Sequence, residues 1–140
     1  MKKILICADD FGISPGVSEA IIDLINRKAI TACACISVMP ESSEHAKSLR
    51  SIKKRPDIGL HLCLTDVGIK VNGTRLPSFK TFLRRAFLGQ ISFGTITRTI
   101  NTQLDMFESQ FNQAPDFIDG HQYVHQLPIV RDALISIVKN

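Results

Sequence analysis

A chain of 140 residues with 44% hydrophobic and 21% charged residues has the makeup of one ordinary globular domain, not of a disordered, collagen-like or coiled-coil protein. Its net charge of +4 comes from scattered lysines and arginines without interleaved aromatics, even at Lys53-Lys54-Arg55 and Arg84-Arg85, so no nucleic-acid partner is expected. No apolar run approaches the roughly 20 residues of a membrane span, and the cysteines at 7, 33, 35 and 63 lack Cys-x-x-Cys spacing, which reads as the reduced, buried thiols of a cytoplasmic protein.

Residues 3–8 form an apolar run without polar alternation, the pattern of a strand buried on both faces, and it stops at Asp9-Asp10. The run is too short for a signal peptide. Ser14 and Pro15 then suit the cap and first turn of a helix. Val17, Ala20, Ile21, Leu24 and Ile25 follow at helical spacing, and the helix is expected to end near Lys28.

Residues 31–39 read as a second buried strand, 42–50 as a polar-faced helix and 58–65 as a third strand. This β-α-β-α-β alternation predicts a parallel sheet with right-handed crossovers, whose ligands gather at the carboxyl ends of the strands. Residues 66–78 read as a loop, 79–88 and 95–111 as helices, 116–119 as a short strand and 128–138 as a last helix. Residues 1–140 are expected to form a single domain. It would be at most about half of an eight-unit barrel, which needs about 250 residues.

Asp9 and Asp10 place two mutually repelling carboxylates at the mouth of this sheet, where something must compensate them. Gly12 permits a backbone turn that lets the two acids point differently. His61 is a polar ring inside the otherwise apolar 59–65, so its burial calls for a partner. His121 and His125 follow a strand at i, i+4 spacing, which on a helix would share one face. One Asp and two His from three strand ends can hold zinc, and tolerate other divalent ions. His45, among Glu44, Lys47 and Ser48, is given no role.

Together, Ala8-Asp9-Asp10-Phe11-Gly12, the 59–65 segment around His61 and Asp119-Gly120-His121-Gln122-x-x-His125 resemble the YdjC-like carbohydrate deacetylases, including chitooligosaccharide deacetylases. The resemblance covers almost the whole chain and implies a (β/α) barrel-like α/β fold of the polysaccharide-deacetylase type, here incomplete because the chain ends early. It implies removal of N-acetyl groups from amino sugars, with a divalent ion, Mg2+ or Zn2+, at Asp10, His61 and His125 and with Asp9 as general base. His121 stays outside that implied ligand set, as an orienting or surface histidine. The group that protonates the departing amine looks, in the family, like a histidine from a later segment that this chain lacks.

Two other readings remain open at this level. A truncated relative would bind metal or sugar while turning over weakly for want of the acid, and a different metallohydrolase such as a phosphoesterase would use a similar sheet. No Gly-rich phosphate loop supports the latter. An open sheet edge also predicts self-association into a homo-oligomer.

Overall fold

In chain order the elements are β1 (Cys7–Phe11), α1 (Pro15–Asn26), β2 (Ala32–Cys35), α2 (Ser42–Arg50), β3 (Asp57–Leu62), β4 (Lys70–Val71), β5 (Thr74–Arg75), α3 (Phe79–Phe87), α4 (Phe93–Phe111), β6 (Ile118–Gly120) and α5 (Pro128–Val138). This computed structural model describes residues 4–139 apart from 41, 66, 67, 69 and 72. The expectations for Lys3 and Asp66 lie outside the described residues. Strands β1, β2, β3 and β6 lie side by side in that order, all parallel. The mixed α/β fold with a parallel sheet, expected from the alternation, is thus what forms.

The strands differ from expectation mainly at their ends. β1 runs through both aspartates instead of stopping at them, because its register to β2 slips between Ala8 and Phe11 and Asp10 absorbs the slip at φ 64°. The apolar residues before it, Ile4, Leu5 and Ile6, are 80%, 55% and 51% exposed, so the expected two-sided burial of that run fails at this sheet edge. β2 and β3 end earlier than expected, yet Ile36, Cys63 and Leu64 beyond them stay fully or almost fully buried. The expected loop at 66–78 contains a small β4–β5 hairpin, turned by Gly73 at φ +75°.

Ser14 caps α1 as its sequence predicts, accepting from the Val17 N–H. The buried face of this helix is Ser18, Ile21 and Ile25, while Val17 and Leu24 sit at the rim, 37% and 39% exposed. The buried stripe is thus rotated slightly from the one the spacing predicts. One core packs α1, α2 and α4 against the sheet through Phe11, Ile21, Leu49, Leu60 and Phe107; a second joins α4 and α5 under Leu62, Ile100 and Val130.

Gln103 of α4 fixes the carboxyl end of β3. Its fully buried amide accepts from the Cys63 N–H at 2.9 Å and donates to the Cys63 carbonyl at 2.6 Å, closing both backbone groups where the strand leaves its ladder. The segment leading into β6 is tied at the opposite end. Asp116 accepts from the Ile58 N–H at 2.7 Å and from the Arg55 guanidinium.

Burial pushes the Asp116 carboxyl up, but the Ile58 hydrogen bond and the Arg55 charge outweigh it and hold the group below its usual range. A lowered folded value means stabilisation present above the ordinary carboxylate pKa and lost as pH falls through the folded one. Asp116→Asn is expected to cost about 0.5–1.5 kcal/mol at neutral pH, towards the lower figure because the pair is partly exposed. Urea melts of both proteins should differ at neutral pH and converge in acid.

Candidate metal centre

The slip in β1 is what aims its two acids. Asp10 occupies the left-handed region, which Asp and Asn tolerate better than other side chains. Its carbonyl accepts from the Ile13 N–H at 3.1 Å. Gly12 continues the turn at φ +94°, its N–H donating to the buried Ser18 hydroxyl at 3.1 Å. A Cβ at Gly12 would stand 3.2 Å from the Ile36 carbonyl oxygen, so the position needs glycine for space as well as for conformation.

Asp10 then reaches two imidazoles. Its Oδ1 lies 3.3 Å from Nε2 of His61 and 3.1 Å from Nδ1 of His121, and the two rings meet edge to face at 5.5 Å. The three ligand atoms all lie within 4.8 Å of one another. Donors bound at about 2.0–2.1 Å to one zinc or magnesium ion stand about 2.9–3.4 Å apart. Both contacts of Asp10 fall inside that interval, and a carboxylate with imidazoles is a donor set that suits a divalent ion, so these residues fit the group.

His61 is 4% exposed on β3, and its other nitrogen is spoken for. Nδ1 shares a 2.7 Å hydrogen bond with Asp119, its direct partner in the β3–β6 register. With Asp119 ionised, Nδ1 carries the proton and donates it, which leaves the Nε2 lone pair facing Asp10. Burial by itself lowers the His61 pKa, but the Asp119 hydrogen bond and the charges of Asp119, Asp10 and Asp9 more than reverse this and raise it.

Asp9, next to Asp10, turns the other way. Its carboxylate gathers with Cys7 and Asp119, all within 4.8 Å. Burial and the Asp119 charge raise its pKa, with His61 opposing. The Cys7 thiol is pushed up to about 12, first by burial and then by Asp9 and Asp119. All four thiols are free, three of them buried and Cys7 half-buried.

Of the three ligand residues expected, Asp10 and His61 lie together. His121 stands beside them, and His125 belongs to neither cluster of metal-ligand type among the described residues. The i, i+4 spacing aligns His121 and His125 only on a continuous helix, but His121–Gln126 is a 3-10 segment broken by left-handed Gln122 and Tyr123 at φ 54° and 57°. The fully buried Thr65 hydroxyl donates to the Gln122 side-chain carbonyl at 2.8 Å, tying this kink to the end of β3.

His125 packs on Gly120, with its Nδ1 buried and without a hydrogen-bond partner. A Cβ at Gly120 would stand 2.6 Å from that nitrogen. Gly120→Ala is therefore expected to displace the ring and to cost about 1–3 kcal/mol in stability. Thermal melts and the His125 imidazole NMR signals would register it. His45 is half-buried on α2, its ring edge-on to Phe11 at 6.2 Å.

Sequence reading missed the role of Asp119. An acid that ends a strand and is followed by Gly-His was a usable signal, but its pairing with His61 depends on β6 lying beside β3, a neighbour 58 residues away in the chain. The Thr65–Gln122 tie was missed for the same reason.

A family model described as YdjC-like protein matches residues 3–140. Among curated proteins, the chain is similar to a chitooligosaccharide deacetylase of Enterobacter sp. (strain 638), at 29% identity over 92% of this chain and 52% of that protein. It is likewise similar to one from Yersinia pestis (strain Pestoides F), at 30% identity over 91% of this chain and 53% of that protein. The chain thus spans about half the length of the curated relatives it matches. In fold it is similar to a crystal structure of an Enterococcus faecalis V583 protein named for cellobiose-phosphate cleavage, with TM-score 0.83 and 22% identity, over 99% of this chain and 56% of the other.

Proposed function

Since this chain belongs to the YdjC-like family, we propose that it works in a metal-dependent hydrolase that removes N-acetyl groups from amino sugars, as chitooligosaccharides carry. One divalent ion would be held by Asp10, His61 and an imidazole of the 121–125 turn. The observation that carries this reading is the convergence of Asp10 Oδ1 on His61 Nε2 at 3.3 Å and on His121 Nδ1 at 3.1 Å. The names of the matched relatives supply the substrate class.

The turn offers two histidines for the third position. The closeness of His121 to Asp10 favours His121, whereas the resemblance implies His125, whose buried Nδ1 lacks a partner. Titrating zinc into His121→Ala and His125→Ala assigns the ligand, because the true one carries nearly the whole loss of affinity. Equal retention by both would sink a third ligand from this turn.

When bound, a divalent ion supplies Lewis acidity toward the amide carbonyl and toward water. The remaining work falls to side chains. Asp119 holds His61 in one tautomer and one orientation. Asp9, with its raised pKa, is the base that takes up a proton from the attacking water.

Metal content and acetate release from N-acetylated chitobiose, measured on one preparation, test the proposal. Metal together with acetate release supports it, and Asp9→Asn should then keep the metal while losing most turnover. Metal without acetate release would favour a binding relative, a reading that the match to only about half of each relative makes worth separating.

A further inference from the structure

The basic run Lys53-Lys54-Arg55 has no part in the metal centre. It precedes β3, and with Lys28 it lines an open cleft of about 580 Å³ beside the last turns of α1 and α2. Residues 28–31 lead into β2 and 53–56 into β3. The cleft thus lies at the amino ends of these strands, whereas His61 stands near the carboxyl end of β3. Its apolar wall is Ile22, Ile25, Ile30 and Ile52, of which Ile25 belongs to the core and the others pack against it. The charged residues of the lining are all cations, with no Asp or Glu among the described ones. A concave, largely apolar cleft of this volume has the size of a small-molecule site.

Two features set its lysines apart from an ordinary solvated surface. Lys28 stands at φ 61°, where the chain leaves α1 and the Ala29 N–H reaches back to the Leu24 carbonyl at 2.9 Å. That helix end favours glycine, so lysine occupies it against the backbone preference. Lys53 and Lys54 are not needed to compensate the carboxyl end of α2, because Lys47 and Arg50 already stand in its last turn. Arg55 is engaged by Asp116. Among the described residues, Lys28, Lys53 and Lys54 have no side-chain hydrogen bond or ion pair.

We propose that this cleft binds a small amphipathic anion, its apolar body against the four isoleucines and its phosphate head between Lys28, Lys53 and Lys54. Ammonium groups bind phosphate as point charges, and three of them suit a dianion better than a carboxylate. The isoleucines give the body a surface that water leaves at a gain. The site is separate from the metal centre and does not rest on the deacetylase reading.

The test titrates naphthyl phosphate into the 140-residue chain, followed by calorimetry and by amide NMR. Shifts centred on Lys28, Ile52 and Lys54 are expected. The probe should bind at least about tenfold more tightly than inorganic phosphate or naphthol, since only it engages both the cations and the isoleucines. Lys28→Gly relieves the left-handed strain, so combined with Lys54→Gln it should leave the thermal melt unlowered while weakening the probe at least about tenfold. Lys53→Gln with Lys54→Gln, both at exposed positions, repeats the test without altering the end of α1. Unweakened binding in both double variants, shifts confined to the surroundings of Asp10 and His61, equal affinity for inorganic phosphate, or no detectable binding would each overturn the proposal.

Discussion

Asp10→Asn is expected to lower the affinity for zinc at least about 100-fold while leaving the fold in place. The expectation rests on the role of Asp10 as the atom shared by both close contacts, 3.3 Å to His61 and 3.1 Å to His121. Outer partners of metal ligands already cost about 10–100-fold when removed, and a direct anionic ligand should cost no less. Asparagine is the informative replacement because Asp10 sits at φ 64°, where Asn is tolerated and Ala would add backbone strain. Calorimetric titration reads the affinity, and an unchanged far-UV circular dichroism spectrum confirms the fold. Wild-type affinity in the Asn variant would remove Asp10 from the ligand set.

Asp119→Ala should cost about 10–100-fold in zinc affinity without removing any atom that touches the ion. The Asp119 carboxylate fixes the proton of His61 on Nδ1, so without it the ring is free to present the wrong tautomer. The pH dependence separates this role from a merely structural one. In the metal-free protein the raised pKa of His61 means that its pairing stabilises the fold fully below the ordinary histidine value of about 6.5, and that this contribution is lost as pH rises through the higher folded value.

Protons and metal compete for the same ring, so wild-type affinity should fall about tenfold per pH unit below that raised pKa. Removing Asp119 takes away the largest raising influence on His61, and the onset of the fall should move to lower pH. Affinity that drops uniformly at every pH, with no displaced onset, would mean that Asp119 acts only through the fold.

Periodicity and capping residues made much of this architecture readable in advance. α2 and α5 form over the expected residues because Pro128 and the polar face of 42–50 mark them locally. β1 starts later than its sequence predicts because Ile4, Leu5 and Ile6 carry a core pattern that this sheet edge leaves exposed. Local pattern reports what a segment is suited to bury against, not whether a neighbour is there to cover it.

The site divides along the same line. Asp10 and His61 were legible because a carboxylate at a strand tip and an imidazole in an apolar run each demand compensation. Which histidine of the 121–125 turn comes beside Asp10 was not, since that depends on two left-handed residues, Gln122 and Tyr123, that helical spacing does not foresee. Asp119 was visible as a residue but not as a partner, because only the β3–β6 register sets it against His61.

The most direct measurement is the anomalous X-ray signal from crystals of this chain soaked in zinc. One strong peak is expected within bonding distance of Asp10 Oδ1 and His61 Nε2, with a third contact from an imidazole of the 121–125 turn. A peak on other residues, or none at zinc concentrations that saturate the protein in solution, would contradict that expectation.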